Sequence, residues 1–164
     1  MFRTIDRYET TDLGLPYTVA ILDGAEEEIS DATGERVGVS IMDMEGLVAA
    51  LAVGRALCPL QLDGAEVRFL RRALGKTGKA FAEAIALDPA TYSRWETGKQ
   101  SVGEWADKQV RLAVVVLLAD RVGAPGLDPK SVVELRIRPR QDRDTIRVEV
   151  RRTADAAWSP ELAA

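Results

Sequence analysis

The 164-residue chain contains no histidine and only one cysteine, Cys58. Without histidine, a Ser-His-Asp or Cys-His catalytic arrangement cannot form, and neither can a histidine-ligated metal site. A single cysteine excludes an internal disulfide framework and fits a reducing compartment such as the cytoplasm. We therefore expect a cytoplasmic protein that is not an enzyme, with no catalytic residue, no metal site and no cofactor.

Long apolar segments are also missing. The longest run, LAVVVLLA at 112–119, is too short to span a bilayer. The first residues, MFRTIDRYETTDLG, lack the apolar stretch of a secretory signal peptide. Hydrophobic residues nevertheless make up 46% of the chain, which is enough for a folded core. These features predict a folded protein without a membrane partner.

Positive charge is scarce in the first third of the chain. Residues 1–62 carry 4 basic and 11 acidic side chains, whereas residues 63–111 carry 9 and 7, and residues 112–164 carry 9 and 8. The net charge of −4 therefore originates in the N-terminal third. A polyanion such as DNA would approach the remainder of the chain.

A series of helix-capping residues marks the middle of the chain. Asp63, Thr77 and Asp88 can each cap a short helix, and Asp88 is followed by a proline, which favours the first helical position. A longer helix is predicted over about 103–122. Short helices at this spacing, with a tight link at 86–87, indicate a helix-turn-helix.

The third short helix lies in the stretch DPATYSRWETGK (88–99), where Tyr92 and Trp95 are three residues apart and share one face. We expect this face to pack against Phe81, Ala82 and Ile85 of the preceding helix. The opposite face carries small or polar residues that stay free for contact: Pro89, Ala90, Thr91, Ser93 and Arg94.

The last helix of this group contains RLAVVVLLADRV (111–122), which is apolar nearly all round. Such a helix needs to be covered on more than one side. The helix-turn-helix can cover one side of it, and the other side needs either the N-terminal domain or a second subunit. We favour a second subunit over part of the run from Leu112 to Leu118, with Val115 and Leu118 in the interface. The chain is therefore predicted to form a homodimer.

Strand signals lie on both sides of these helices. YTVAILDG (17–24) and RVGVSI (36–41) predict strands, and Asp43 can cap a helix that follows them. SVVELRIRP and TIRVEVRR alternate apolar and polar residues, which predicts a hairpin. The predicted fold is α+β. Its parts are an N-terminal α+β module at 1–61, a helix-turn-helix domain at 62–123, a C-terminal β-hairpin at 130–153 and a loose tail at 154–164.

The predicted hairpin would present basic side chains on one face, namely Arg136, Arg138, Arg147 and Arg151. This face is either a ribbon that follows the DNA backbone or a solvated surface with acidic residues between the arginines. We favour the solvated surface.

The stretch FLRRALGKTGKAFAEAIALDPATYSRWETGK (69–99), within Leu62–Arg111, resembles the Cro/cI (xenobiotic response element) family of helix-turn-helix DNA-binding domains. A wider resemblance, over about 13–118, is to regulators related to MqsA-type antitoxins. Those antitoxins carry paired CxxC zinc motifs, and this chain has one cysteine. The resemblance therefore implies neither zinc nor an inherited toxin-binding role.

The family resemblance implies a role for each matching position. Arg71 pairs with Glu96 and supports the recognition helix from behind, as Tyr92 and Trp95 do. The residues implied to face DNA bases are Pro89, Ala90, Thr91, Ser93 and Arg94. Those implied to contact phosphates are Thr77, Gly78, Lys79, Thr97 and Lys99. Gly78 departs from the family, which often has glutamine there, so Lys79 or the amides at this helix start would substitute.

The resulting expectation is a homodimer that binds double-stranded DNA at an inverted-repeat operator and represses its own or neighbouring genes. Two alternatives remain open at the level of sequence. One is an antitoxin whose acidic first third also binds a basic toxin protein. The other is a protein-interaction module whose helix-turn-helix has lost DNA binding.

Overall fold

In the computed structural model, which describes residues 1–123 and 127–162, strands from both ends of the chain form one sheet. The strands are β1 (Phe2–Thr10), β2 (Thr18–Ile29), β3 (Arg36–Ile41), β4 (Arg147–Arg152) and β5 (Trp158–Glu161). The helices are α1 (Met44–Leu57), α2 (Gly64–Ala73), α3 (Gly78–Ala84), α4 (Pro89–Glu96), α5 (Glu104–Leu118) and α6 (Lys130–Val133), with a 3-10 turn at Ala119–Arg121. The α+β class predicted from the sequence is confirmed.

Strand β2 is the centre of the sheet. Its whole length pairs antiparallel with β1 along one edge. The other edge is shared, because residues 18–22 pair in parallel with β4 and residues 25–29 pair antiparallel with β3. Strand β5 extends the sheet beyond β4 in an antiparallel pairing. The sheet therefore joins segments from both ends of the chain, with all the long helices between them in sequence.

Helix α1 lies between the sheet and the other helices. One side of it packs with Val19, Ile21 and Trp158 in a core under the sheet, and the other side packs in a second core with α2 to α5. A helix covered on both sides is expected to be apolar nearly all round, as MEGLVAALAVGRAL is. Gly54 permits the close approach, since an added Cβ would lie 2.8 Å from Val148 Cγ1.

The predicted helix starts are confirmed by their caps. The side chains of Asp43, Asp63, Thr77 and Asp88 each accept a hydrogen bond from a backbone N–H in the first turn of the helix that follows. Asp63 forms a full capping box, in which the Glu66 side chain also accepts from the Asp63 backbone N–H. Local capping chemistry therefore places the four helices α1 to α4.

Two fully buried arginines join α1, α2 and α5. Arg55 donates to both carboxylate oxygens of Glu66, at 2.8 and 2.9 Å, and Arg111 is paired with Asp107 one turn earlier on α5. Both guanidinium groups also donate to backbone carbonyls between residues 56 and 61. Buried charges need such complete hydrogen bonding. The loop before α2 is thereby tied to α1 and α5.

The predicted first strand of the C-terminal hairpin, SVVELRIRP, is wrong. Residues 130–133 form α6, and a single parallel bridge between Leu60 and Arg138 is the only strand pairing within the described residues 134–146. The start of the predicted strand is helical instead, because the Asp128 side chain accepts a hydrogen bond from the Lys130 backbone N–H and Val132 packs in the core between the helices. The second predicted strand is confirmed as β4, but it pairs with β2 and β5.

Both ends of the chain contain strands that the sequence did not indicate. The predicted loose tail at 154–164 is wrong for Trp158–Glu161, which form β5; Trp158, the one residue of the tail not expected to be loose, is fully buried, and its indole N–H donates to the Asp43 carbonyl at 3.1 Å. Strand β1 has a bulge between Ile5 and Arg7 that breaks the two-residue alternation. As a result, Ile5 and Tyr8 pack against the same core although they are an odd number of positions, three, apart in the strand.

No helix in the described part of the chain is long and apolar enough to cross a membrane.

Candidate nucleic-acid interface

Helices α3 and α4 meet at a tight turn at Ala86 and Leu87. Ala86 has a left-handed backbone (φ 56°), and the Leu87 N–H donates to the Ala82 carbonyl at 2.8 Å. The ring of Tyr92 packs edge-on against Phe81, with centroids 5.5 Å apart, and Trp95 is buried beside it. The predicted packing of Tyr92 against α3 is confirmed, Trp95 is buried in the same core, and the opposite face of α4 is directed outward.

An ion pair holds the end of α4 against α2. Arg71 Nε lies 2.6 Å from Glu96 Oε1, and Arg71 Nη2 lies 3.1 Å from Glu96 Oε2, with both side chains nearly buried. Arg71 also donates to the Lys76 carbonyl at 2.9 Å, and Arg68 donates to the Glu96 carbonyl. Burial alone would raise the pKa of the Glu96 carboxyl, but the hydrogen bonds and charge of Arg71 outweigh it and lower that pKa.

The outward face of α4 carries the residues expected to read DNA. Pro89, Ala90, Ser93 and Arg94 are exposed, and Thr91 is half-buried beside them. The Arg94 guanidinium is held in place, because Nη2 donates to Thr91 Oγ1 at 2.9 Å and Nε donates to Gln100 Oε1 at 3.2 Å. Hydrogen bonds from the Thr91 backbone and hydroxyl lower the pKa of the Asp88 carboxyl at the start of this helix.

Gln100 is the one contact on this face that sequence reasoning missed. It lies beyond the end of α4, after a turn in which Gly98 has φ 72°, and its backbone N–H donates to the Arg94 carbonyl at 3.2 Å. Helical spacing does not extend past such a turn. The only sequence signal is the glycine itself, since a left-handed glycine after a helix directs the chain back along it.

The positions expected to contact phosphates lie at the start of α3 and just after α4, and all except the half-buried Gly78 are exposed. Thr77 Oγ1 accepts from the Ala80 N–H, and Lys79 and Lys99 extend into solvent. The Thr97 hydroxyl already donates to the Ser93 carbonyl at 2.9 Å, so its hydrogen is used within the helix. A Cβ at Gly78 would meet the Tyr92 ring at an ordinary 3.7 Å, so space does not require glycine there.

The predicted basic face of the C-terminal segment is largely neutralised. Arg147 lies beside Glu9 and Glu149 on the outer face of the sheet, and Arg151 pairs with Glu161 at 2.6 Å. Arg138 makes two hydrogen bonds to Asp144, at 3.0 and 3.1 Å. Side chains paired in this way have little free charge to offer to phosphates.

The helices and the turn between them can be compared with known families. Residues 64–128 match a family model described as a helix-turn-helix domain. This segment begins at the start of α2 and contains α3, α4 and α5. No curated protein and no solved structure matches the chain. A helix-turn-helix domain is a DNA-binding module, and it indicates a regulator that binds DNA.

The residues that the structure describes contain no group of three or more cysteine, aspartate or glutamate side chains placed to hold a metal ion. Cys58 is a free thiol, half-buried in the loop before α2.

Proposed function

We propose that this chain is a homodimeric transcriptional regulator that binds a specific double-stranded DNA sequence through α4. The observation that carries the proposal is the contrast between the two sides of this helix. Its back is fixed to α2 by the Arg71–Glu96 pair, while Arg94 projects from an exposed face. A rigid helix with one free polar face is what the major groove accepts.

In the proposed complex, α4 lies in the major groove. Arg94 donates to guanine O6 and N7, and the apolar surface of Pro89 and Ala90 contacts thymine methyl groups. Ser93 hydrogen-bonds base edges, and Thr91 contributes through the support that it gives Arg94. The residues proposed to fix the position of the domain on phosphates are Thr77, Gly78, Lys79 and Lys99, together with Thr97, whose hydroxyl would exchange the Ser93 carbonyl for a phosphate oxygen.

The proposed dimer uses the outward side of α5. Trp105 is 64% exposed and Val116 is 51% exposed on the same side of this helix, with half-buried Leu112 between them. The expectation that Val115 and Leu118 lie in the interface is wrong, because both are buried in the core of their own subunit. An apolar stripe on a helix of the domain fits an isologous contact that sets two α4 helices one DNA turn apart.

The proposed dimer also implies a form for its operator and an effect of binding. The operator is an inverted repeat that reflects the two-fold symmetry of the dimer, and binding to it represses the gene for this chain or its neighbours. The protein acts in the cytoplasm, at the nucleoid.

The proposal predicts the behaviour of Arg94→Ala. Selection from a random duplex library with the wild-type chain is expected to enrich an inverted repeat. The variant should lose about 1–3 kcal/mol of discrimination per half-site, because it lacks the bidentate contact to guanine. Arg72→Ala removes an equal charge from an exposed position on α2 and should keep the wild-type preference. Enrichment of no sequence by the wild type would contradict the proposed function.

The acidic hairpin between β2 and β3 favours a second candidate, an additional protein partner with a basic surface, such as a toxin. Glu28, Asp31 and Glu35 are exposed there, close to exposed Val37. Such a partner would bind at the end of the sheet and leave α4 free. Co-purification of a neighbouring gene product with the wild type, but not with a Glu28→Lys, Asp31→Lys double variant, would support it.

A further inference from the structure

We propose that Gln100 is a specificity-determining residue that aims the Arg94 guanidinium at a guanine base. This inference rests on the proposed DNA-reading role of α4. It assigns a function to a residue that lies outside the helix and carries no charge. Some donors of the Arg94 guanidinium are occupied by the protein and others remain free.

Gln100 is well placed to hold Arg94. The turn at Gly98 brings the chain back along α4, so that the Gln100 backbone N–H donates to the Arg94 carbonyl at 3.2 Å. The Gln100 side chain then accepts from Arg94 Nε, also at 3.2 Å. Two hydrogen bonds between the same pair of residues fix the glutamine relative to the arginine.

Thr91 holds the same guanidinium from within the helix. Arg94 Nη2 donates to Thr91 Oγ1 at 2.9 Å, and Thr91 Oγ1 lies 3.1 Å from Asp88 Oδ2. A guanidinium can only donate, and an ionised carboxylate can only accept. The threonine hydroxyl must therefore accept from Arg94 and donate its own hydrogen to Asp88. The direction of both hydrogen bonds, from Arg94 to Thr91 and from Thr91 to Asp88, is therefore determined.

These two contacts use one side of the guanidinium. The N–H of Nε and one N–H of Nη2 are occupied by Gln100 and Thr91. Both hydrogens of Nη1 and one hydrogen of Nη2 remain. With Thr91 accepting the Nη2 hydrogen on the Nε side, one hydrogen of Nη1 and the other hydrogen of Nη2 form the end-on pair of parallel donors. Guanine presents two adjacent acceptors, O6 and N7, in the major groove. The contacts therefore leave free the edge that matches guanine.

Fixing the arginine also restricts what else it can contact. A freely rotating arginine can reach phosphates on either side of the groove and gains affinity for any sequence. One that is held before binding loses less side-chain freedom in the complex, and its donors point in one direction. Gln100 is thereby expected to affect discrimination between bases more than total affinity.

The test uses duplexes selected by the wild-type chain, in which each guanine is replaced in turn by 7-deazaguanine. This base lacks only the N7 acceptor. Arg94→Ala identifies the guanine concerned, because replacement there removes one hydrogen bond to a charged group, which should weaken wild-type binding about 10- to 150-fold and leave the variant unaffected. In Gln100→Ala the penalty at this guanine should shrink by about 3- to 10-fold, the value of one net hydrogen bond.

Two further variants separate aiming from other roles. Gln100→Glu keeps the acceptor for Arg94 Nε, so the penalty at the guanine should return, while binding to all duplexes weakens because a negative charge approaches phosphates. Lys99→Ala removes the neighbouring proposed phosphate contact, so every duplex should bind more weakly with an unchanged penalty. Circular dichroism and melting temperatures of all four variants should match the wild type.

Several outcomes would overturn the inference. If Gln100→Ala retains the full penalty, the glutamine does not aim Arg94. If it weakens all duplexes equally, Gln100 is itself a phosphate contact. If Arg94→Ala retains a penalty at every guanine, Arg94 is not the reader. A wild-type chain that enriches no sequence overturns the proposed function instead, and this is known before any variant is made.

Discussion

At the scale of single residues, the position of α4, the proposed DNA-reading helix, depends on the carboxylate of Glu96. Glu96 receives both Arg71 hydrogen bonds, and its backbone carbonyl receives a third from Arg68 on the same helix α2. Tyr92 and Trp95 bury one face of α4, and Tyr92 packs against α3. The ion pair fixes the end of the helix. Orientation of Arg94 therefore follows from Glu96.

Glu96→Ala is expected to destabilise the protein. The change leaves the Arg71 charge in a site that is 14% exposed, and loss of one partner from such a pair costs about 3 kcal/mol. Glu83→Ala, on the exposed side of α3, should stay within about 0.5 kcal/mol of wild type. Urea denaturation measures both. Equal stability of Glu96→Ala and wild type would show that the pair contributes nothing.

The same residue makes a prediction about pH. Because the folded pKa of Glu96 lies below its ordinary value of 4.5, the unfolded chain binds a proton more readily than the folded chain. The contribution of the pair is therefore complete above the ordinary pKa and is lost as pH falls through the folded pKa. The difference in unfolding free energy between wild type and Glu96→Gln should narrow from about pH 6 to about pH 3. A constant difference would contradict the assignment.

At the scale of elements, the helices were predictable and part of the sheet was not. Helices α1 to α4 each begin with a side chain that caps its own first turn, so the information lies within a few residues. Strand β5 depends on Trp158 reaching the Asp43 carbonyl, more than a hundred residues away. The segment SVVELRIRP (131–139) has the alternation of a strand from residue 133 onward, yet its first residues belong to α6, whose Val132 packs in the core of the helices. Tertiary contacts therefore decide the secondary structure of these two segments.

The proposed DNA-reading face of α4 also has a part that the sequence predicts and a part that it does not. The spacing of Tyr92 and Trp95 identifies its buried side, and therefore the outward side, from sequence alone. Gln100 could not be found by spacing, because it returns to Arg94 only through the turn at Gly98. The buried arginines Arg55 and Arg111 could not be assigned either, since their acceptors are mostly carbonyls of a loop.

The arginines before β4 allow a test of whether their segment contacts DNA. Replacing Arg136 and Arg138 with alanine should leave DNA affinity and its salt dependence unchanged, because Arg138 is already bound to Asp144. Lys79→Ala and Lys99→Ala are the comparison, and each should reduce the slope of log affinity against log salt by about one unit. A flatter slope for the double arginine variant would place this segment on the DNA backbone.

At the scale of the whole molecule, Arg140 connects the C-terminal segment to the start of the helix-turn-helix. Arg140, in the segment between α6 and β4, pairs with Asp63 and donates to Glu66 at 3.0 Å. Glu66 is the same carboxylate that receives Arg55 from α1. The start of α2 is thus held by α1 and by the C-terminal segment together. Glu66 therefore adds a polar link between the sheet side of the molecule and the helix-turn-helix, beside the packing of α1 against both.

Two adjacent valines on α5 provide the prediction for assembly. Val116 is 51% exposed and Val115 is fully buried. Val116→Glu should give a folded monomer with weakened binding to the full operator, because burial of apolar surface contributes about 25 cal/mol per Å² and a charge there prevents it. Val115→Glu should unfold the subunit itself. Light scattering after gel filtration and circular dichroism distinguish the two results. A wild-type monomer at tens of micromolar would contradict the dimer.

The parallel pairing of β2 with β4 imposes an order on folding during synthesis. Thr18 pairs with Arg147, and at about 5–20 residues per second the ribosome needs roughly 6–26 seconds to make the chain between them. During that interval β1, β2 and β3 can pair locally and the helix-turn-helix can form, but half of one β2 edge stays open. An open edge is a site of aggregation. Ribosomes that stall before β4 should therefore release chains with formed DNA-reading helices and an unprotected sheet.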